Sequence, residues 1–165
     1  MKVLWTVVVA LVACTVAVEQ IKSPSLKPRK ENEGVGWKRR PYTEGECSGS
    51  VEWLFDETNS TLIISGNGPI NCTNGTNSPW LDFQNETQYV EIKEGVTSIG
   101  ENSFYNFKNL LSATIPSSVT LIGNKSFYGC SSLSYVSYLG TSNPSNSRDV
   151  LEKCDNLRFV CVPPA

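Results

Sequence analysis

The segment VTSIGENSF at residues 96–104 returns as VTLIGNKSF at residues 119–127, twenty-three residues later. The match extends into the flanks, where YVEIKEGVTSIGENSFYNFKNL becomes SATIPSSVTLIGNKSFYGCSSL. A degraded third copy follows with one extra residue and a polar, proline-containing stretch, YLGTSNPSNSRDV, in place of the VTxIG segment. It aligns Cys130, Leu133 and Val136 with Cys154, Leu157 and Val160. A period of twenty to thirty residues with short apolar alternation predicts a solenoid of stacked coils.

The repeat also predicts which residues form the core. A single coil cannot bury its own apolar face, so each coil supplies a short strand to one continuous parallel ladder. Gly100 and Gly123 fall where the coil turns a corner, and we expect either a positive φ or a close backbone approach there. We expect short helical turns near residues 103–107 and 126–130. The predicted core residues are Ile92, Ile99, Phe104, Leu110, Ile115, Ile122, Phe127 and Leu133.

Upstream of the repeats, residues 51–66 have the pattern of a β-hairpin. Apolar and polar residues alternate through VEWLF and again through TLIIS, and turn-forming residues 56–60 separate the two runs. A hairpin ladder brings the chain around residue 47 opposite the chain around residue 70. We therefore expect a disulfide between Cys47 and Cys72 that joins the open ends of the hairpin.

The first residues resemble a secretory signal peptide. Lys2 gives a short positive region, residues 3–13 are apolar, and Thr15 and Ala17 are the small residues before a cut after residue 17. An uncleaved anchor is one alternative. Another is a bacterial lipobox at residues 11–14, in which Cys14 would carry lipid. Residues 1–17 are thus predicted to be a signal peptide, and no later segment is long and apolar enough to span a membrane.

Residues 18–44 carry three prolines, many charges and no apolar period, so we predict a disordered tether or pro-segment. The net charge of −2, with acids and bases interspersed, gives no basic face for nucleic acid. Sequons of the form N-x-S/T indicate a glycosylated, secreted or extracellular-surface eukaryotic protein, and they count against the lipobox. The five sequons begin at Asn59, Asn71, Asn74, Asn85 and Asn124.

After signal removal five cysteines remain, and an odd number in an oxidising compartment leaves at least one unpaired or intermolecular. The alignment places Cys130 and Cys154 inward and Cys161 outward. One arrangement, which we favour, is a Cys154–Cys161 bond that closes the C-terminal end, with Cys130 as a buried thiol. The alternative is a free Cys161, which would suit a dimer or a chain whose partner cysteine was lost beyond Ala165.

Residues for catalysis are missing from the sequence. The chain has no histidine, which excludes Ser-His-Asp and Cys-His catalysis and every metal site that needs histidine. The acidic pairs Asp56-Glu57 and Glu91-Glu94 fall in a hairpin turn and at a strand end, and a thin solenoid offers no cleft in which two carboxylates would face each other. We therefore predict that the protein is not an enzyme and binds no cofactor or metal.

The repeats SVTLIGNKSFYGCSSLSYV (118–136) and EGVTSIGENSFYNFKNL (94–110) resemble the BspA-type leucine-rich repeat family of surface proteins. WLFDETNSTLIISGNG (53–68) and PW (79–80) are similar to that family's N-terminal module. The resemblance spans residues 45–162 but departs at Phe107, which replaces a Cys-type position, and in its low repeat count. It implies a mainly β chain, with a β-hairpin cap module at 45–87 and a solenoid of about two and a half coils at 88–165.

The same resemblance implies a secreted or cell-surface binding module that adheres to an extracellular protein or glycan. The alternative is a truncated family member with a structural role or no partner of its own. Alternation along the strands predicts that two columns of side chains face outward, with Tyr135 and Phe159 forming an exposed aromatic pair on a Ser/Thr surface. The predicted binding face comprises Ser112, Thr114, Tyr135, Ser137 and Phe159. Tyr105 and Tyr128 are further contact candidates in the loop after each repeated Phe.

Overall fold

The computed structural model describes residues 42–47, 50–72, 78–141, 144 and 148–162, within the compact unit Arg40–Ala165. The predictions for the signal peptide, the lipobox, most of the tether and Asn74 lie outside these residues. In chain order the elements are β1 (Tyr42–Cys47), β2 (Val51–Asp56), β3 (Thr61–Gly66), β4 (Gly68–Pro69), a 3-10 helix (Leu81–Phe83), β5 (Tyr89–Ile92), β6 (Val96–Ile99), β7 (Ser112–Ile115), β8 (Leu121–Ile122), β9 (Tyr135–Tyr138) and β10 (Phe159–Cys161).

Most of these strands belong to one seven-stranded sheet in the order β1-β2-β3-β5-β7-β9-β10. The first three strands are antiparallel, and β3, β5, β7, β9 and β10 then run parallel to one another. The remaining strands form a small parallel sheet, β4-β6-β8, along another side of the coils. The prediction of a mainly β chain is confirmed, and so is the hairpin at 51–66, in which Val51 pairs with Gly66 and Asp56 with Thr61.

The hairpin does more than the sequence predicted. Its second strand pairs in parallel with the first repeat strand, with Leu62 opposite Val90, so the hairpin begins the same sheet that the repeats continue. The prediction of disorder through residue 44 is wrong at its last three residues, because β1 starts at Tyr42. That strand pairs along the whole of β2, from Tyr42 opposite Asp56 to Cys47 opposite Val51, and so its backbone groups find partners.

All eight predicted core residues are buried: Ile92, Ile99, Phe104, Leu110, Ile115, Ile122, Phe127 and Leu133. A row of aromatic rings runs through this core across three successive coils. Phe104 stacks on Phe127 with ring centroids 4.9 Å apart, and Trp80 stacks on Phe104 at 5.8 Å. The Trp80 Nε1–H donates to the Ser103 carbonyl oxygen at 2.8 Å, which satisfies the one polar atom of that ring.

The coil corners differ from the expected helical turns. Segments 103–107 and 126–130 form single hydrogen-bonded turns, such as Phe107 N–H to the Phe104 carbonyl, and no helix. Two sets of residues one coil apart hold left-handed φ angles there: Asn102, Lys125 and Asp149, and Asn106, Gly129 and Lys153. Positive φ lets the chain reverse direction within one residue, whereas a continued helix would carry it away from the stack.

At the predicted glycine corners, neither Gly100 nor Gly123 has a positive φ. Gly123 instead meets the second expectation, a close approach of two backbones. A Cβ placed on it would lie 2.5 Å from the Glu101 amide nitrogen of the preceding coil. Any side chain at this position would push two adjacent coils apart.

The expected Cys47–Cys72 disulfide is present, with Cα atoms 5.0 Å apart. The expected Cys154–Cys161 bond is wrong, because Cys154 is a free, buried thiol, as is Cys130. Each of these two thiols contacts a carbonyl oxygen of the preceding coil at 3.2 Å, Cys130 that of Phe104 and Cys154 that of Phe127. Cys154 therefore points into the stack. The alternative of a free Cys161 is also wrong, since Cys161 is disulfide-bonded.

The third repeat copy aligns Val160 with Val136, which predicts an inward position, but Val160 is not buried. Val160 aligns with the buried Val136 on the neighbouring strand, as expected, yet it is 51% exposed. In the described residues no coil follows β10, so no described strand covers the outer side of this position.

Glu94 ties two coils together at a corner. Its carboxylate accepts hydrogen bonds from the Ser117 amide at 3.0 Å, the Ser117 hydroxyl at 2.9 Å and the Ser118 amide at 3.2 Å. The Ser118 hydroxyl in turn donates to the Val96 carbonyl at 2.7 Å. Chiefly because of the Ser117 hydroxyl bond, the pKa of Glu94 lies below its usual value of 4.5.

Replacing Phe127 by Ala should lower the free energy of unfolding by about 3–5 kcal/mol, because a buried aromatic ring leaves a cavity in the stack. That loss is large against the total of about 5–15 kcal/mol that such domains possess. Urea unfolding measures it, with Phe159→Ala, at a 54% exposed phenylalanine, as the control. Equal losses in the two variants would contradict the assigned strand register.

Glu94→Gln should destabilise the fold near neutral pH and leave it unchanged in strong acid. Because the folded pKa is lowered, the stabilisation is present in full above the unfolded pKa of about 4.5 and is lost as the pH falls through the folded pKa. Unfolding curves of both proteins between pH 7 and pH 2 should therefore converge at the acid end. A constant difference across the range would show that the Glu94 charge is not responsible.

Candidate binding surface

The outward face of the large sheet carries a column of side chains from four neighbouring parallel strands. Register places Tyr89 beside Ser112, Ser112 beside Tyr135 and Tyr135 beside Phe159. Phe159 is 54% exposed and Tyr89 is 38% exposed, while Tyr135 between them is half-buried. The predicted adjacency of Tyr135 and Phe159 is confirmed. We call Tyr89, Ser112, Tyr135 and Phe159 the aromatic column.

A second column runs parallel to it through Glu91, Thr114, Ser137 and Cys161. Two members of the predicted face are not displayed as expected, because Ser112 and Ser137 are buried. Ser112 has a short side chain and lies between Tyr89 and Tyr135 on its two neighbouring strands. The large rings of these tyrosines reduce its exposure to solvent. Ser137 is likewise short and follows Tyr135 two residues along the same strand. Thr114 stays partly exposed.

Polar atoms on this face are incompletely paired. The Tyr135 hydroxyl and the Ser137 hydroxyl are buried and have no hydrogen-bond partner in the described part of the chain. A buried polar group without a partner costs about 1–3 kcal/mol, so the middle of the face contributes less stability than its packing alone would give.

A second aromatic cluster lies at the coil corner that follows each repeated Phe. Tyr105 and Tyr128 stack in parallel, with centroids 5.1 Å apart and planes within 2°. The ammonium groups of Lys125 and Lys153 lie 5.7 Å and 5.1 Å from the Tyr128 centroid, within cation–π distance. Contact with the Tyr128 hydroxyl raises the pKa of Lys153, so this lysine is charged at neutral pH. Tyr128 therefore already contacts one aromatic ring and two ammonium groups within the chain.

The expected sequons lie on the surface wherever the structure describes them. Asn59, Asn71, Asn85 and Asn124 are all exposed. The Asn124 Oδ1 accepts a hydrogen bond from the Arg148 amide at 3.0 Å, so this bond does not use Nδ2, the atom to which a glycan attaches.

Among the described residues no three His, Cys, Asp or Glu side chains come together in a way that could hold a metal ion. No helix within the described ranges has the length and apolar character needed to cross a membrane. The described surface presents aromatic faces and short hydroxyl side chains that can contact another molecule.

Sequence reasoning missed two features of these surfaces. Tyr89 extends the aromatic column into the first repeat strand, and the alignment of YVEI with SATI carried the signal, because it places Tyr89 over Ser112. The lysines beside Tyr128 had no such signal. Their convergence depends on left-handed corner residues that an alignment of apolar positions does not report.

Comparison with known proteins agrees with this geometry. The family model for the BspA type leucine rich repeat region matches residues 82–165. A leucine-rich repeat protein from Eubacterium ventriosum is structurally similar, with a TM-score of 0.52, 18% identity, and coverage of 74% of this chain and 44% of that one. A leucine rich cell surface protein from Faecalibacterium prausnitzii aligns with a TM-score of 0.39, 23% identity, and coverage of 72% and 42%.

The chain thus spans less than half the length of either solved structure. Comparison with curated protein sequences gave no match. The family model covers half of the chain and includes the coils that carry the aromatic stack, the glycine corners and the parallel ladder. The chain therefore belongs to the BspA-type leucine-rich repeat family.

Proposed function

We propose that this protein is a secreted or cell-surface binding module that contacts an extracellular protein or glycan through the aromatic column. The observation that supports this most directly is the pair of exposed rings, Tyr89 and Phe159, with Tyr135 between them. Neighbouring strands in a sheet are about 4.8 Å apart, so Tyr135 and Phe159 present a continuous apolar surface. Apolar surface surrounded by polar groups is typical of contact sites.

The charge distribution fits a protein or neutral glycan better than a charged polymer. None of Tyr89, Ser112, Tyr135 and Phe159 is charged. The ring of a tyrosine loses little conformational entropy on binding, and a serine supplies adaptable hydrogen bonds. Salt should therefore have little influence on the affinity, because no ion pair is required.

A second candidate function is a scaffold without a partner of its own. The burial of Ser112 and Ser137 favours it, because the polar rim of the face is narrower than the sequence predicted. A scaffold would bind nothing in a survey of matrix proteins and glycans, whereas a binding module would retain at least one of them.

The double variant Tyr135→Ser, Phe159→Ser should abolish binding to any ligand found by matrix-protein pull-down or glycan array. It removes the apolar centre of the face while leaving the inward residues untouched, so the melting temperature should change little. Leu121→Ser is the matched control, because Leu121 is 53% exposed on the small sheet. Binding that survives the double change would place the contact elsewhere, and a collapse of the melting temperature would mean that the Tyr135 ring is part of the core.

We also propose that the exposed sequons carry N-linked glycans when the chain is made in a eukaryotic secretory pathway. Treatment of the secreted protein with an N-glycosidase should lower its mass, and peptide mapping should find Asp in place of Asn at occupied positions, among them Asn59 or Asn124. Secretion without any such mass change would contradict the proposal.

A further inference from the structure

Two buried thiols lie at matching positions of neighbouring coils. Cys154 follows Cys130 by one repeat, twenty-four residues along the chain, and the strands that come after them are in register. The Cys130 thiol meets the Phe104 carbonyl oxygen of the preceding coil at 3.2 Å. The Cys154 thiol meets the Phe127 carbonyl oxygen in the same way, also at 3.2 Å. The two sulfurs therefore belong to one inward column of the stack.

Hydrogen bonds hold the two coils together on both sides of this pair. Just before the cysteines, the Gly129 amide donates to the Glu152 carbonyl at 2.9 Å. Just after them, the Asn156 Nδ2 donates to the Ser131 carbonyl at 2.8 Å. Neighbouring hydrogen-bonded strands lie about 4.8 Å apart, and a disulfide spans Cα atoms that are about 4.4–6.8 Å apart. The disulfide at the hairpin ends has such a spacing, with its Cα atoms 5.0 Å apart. The two coils are therefore close enough at this corner to be joined by an S–S bond.

The two thiols also interact with each other. The pKa of Cys154 lies below its usual value, chiefly because the Cys130 thiol hydrogen-bonds to the Cys154 sulfur, and the same contact raises the pKa of Cys130. Cys154 is also the more accessible thiol, since it is 9% exposed and Cys130 is 0% exposed. Because the thiolate is the reactive form, Cys154 is the thiol that meets and attacks a reagent first.

Oxidation of the pair would leave both carbonyl oxygens with a partner. The S–H group is a weak donor, so its bond is easily given up. The Phe104 carbonyl still accepts from the Phe107 amide at 3.4 Å, and the Phe127 carbonyl still accepts from the Cys130 amide at 3.4 Å. One coil earlier, the position that matches Cys130 is the buried and unreactive Phe107. The repeat therefore provides one pair of adjacent thiols in this column.

We propose that Cys130 and Cys154 are a redox-sensitive pair, which a small-molecule disulfide of the glutathione class converts into a disulfide between the two coils. The Cys154 thiolate attacks one sulfur of the reagent, which forms a mixed disulfide and releases one thiolate. Cys130 then loses its proton and attacks the Cys154 sulfur, which forms the bond between the coils and releases the second thiolate. The two protons of the protein thiols end on the released thiolates. This inference does not depend on the proposed function.

Peptide mapping of the folded, purified chain tests the proposal. The chain is incubated in glutathione buffers from fully reduced to fully oxidised, then unfolded, alkylated and digested with trypsin without reduction. Cleavage after Lys125, Arg148, Lys153 and Arg158 puts Cys130, Cys154 and Cys161 on separate peptides, 126–148, 154–158 and 159–165. The oxidised chain should give 126–148 linked to 154–158 at the mass of a single chain, and the reduced chain should give both peptides alkylated.

Three results in the oxidised chain overturn the proposal. They are alkylation of both Cys130 and Cys154, a glutathione adduct at Cys154 without a link, and a link between 154–158 and 159–165. Oxidation of the reduced chain in concentrated urea should give much less of the expected link, because Cys161 is only seven residues from Cys154 and competes for it once the fold is lost. Equal yields in the folded and unfolded chain would show that the coil geometry is not responsible.

Cys154→Ala is the matched control for the order of attack. It removes the thiol that meets the reagent and leaves Cys130 sealed in the stack, so Cys130 should be recovered alkylated from the most oxidising buffer. A glutathione adduct at Cys130 in this variant would show that the reagent reaches Cys130 directly, and would overturn the assigned sequence of steps.

Discussion

A single coil of this protein cannot bury its own apolar side, and the stacking of ring on ring between coils removes that side from water. Trp80, Phe104 and Phe127 stack at 5.8 Å and 4.9 Å, one ring per coil, and all three are buried. The hydrophobic stabilisation is therefore shared between neighbours and belongs to no coil alone. This dependence explains why the hairpin joins the first repeat strand edge to edge, since an isolated two-stranded hairpin is marginal in water.

The polar contacts follow the same spacing as the rings. Trp80 Nε1–H reaches the Ser103 carbonyl, Glu94 reaches Ser117 and Ser118, and Asn109 Nδ2 reaches the Asn85 carbonyl, each about one coil away. In these bonds a side chain of one coil pairs with a backbone group of another at a corner, where the strand ladder is interrupted and that group would otherwise lack a partner. Because each bond couples two coils, loss of one coil exposes both the rings and the polar groups of the next, which favours cooperative unfolding.

A stack of coils has two ends and one broad sheet face, and in this chain all three have different characters. Strand β1 at one edge of the sheet is acidic, and β10 at the other is apolar; both contain a disulfide-bonded cysteine, Cys47 and Cys161. The face between them presents the rings of Tyr89, Tyr135 and Phe159 among short polar side chains. An aromatic face among short polar side chains suits contact with a partner of limited charge.

The sequence by itself determined the coil period, the hairpin, the eight core residues and the Cys47–Cys72 pairing, because each of these depends on apolar alternation or on spacing along the chain. The sequence also determined the register of the aromatic column, because the repeat alignment puts Tyr135 beside Phe159 regardless of the corner conformation. Only the tertiary structure decided which outward residues are exposed. Ser112 is buried between tyrosines of the two neighbouring strands. Val160 is exposed because no described coil covers it, and Cys154 is a buried free thiol, so it does not bond to Cys161. The solvent exposure of a side chain and the disulfide pairing of a cysteine depend on residues distant in sequence. A periodic pattern predicts only the side of the strand on which a side chain lies, not the residues that pack against it.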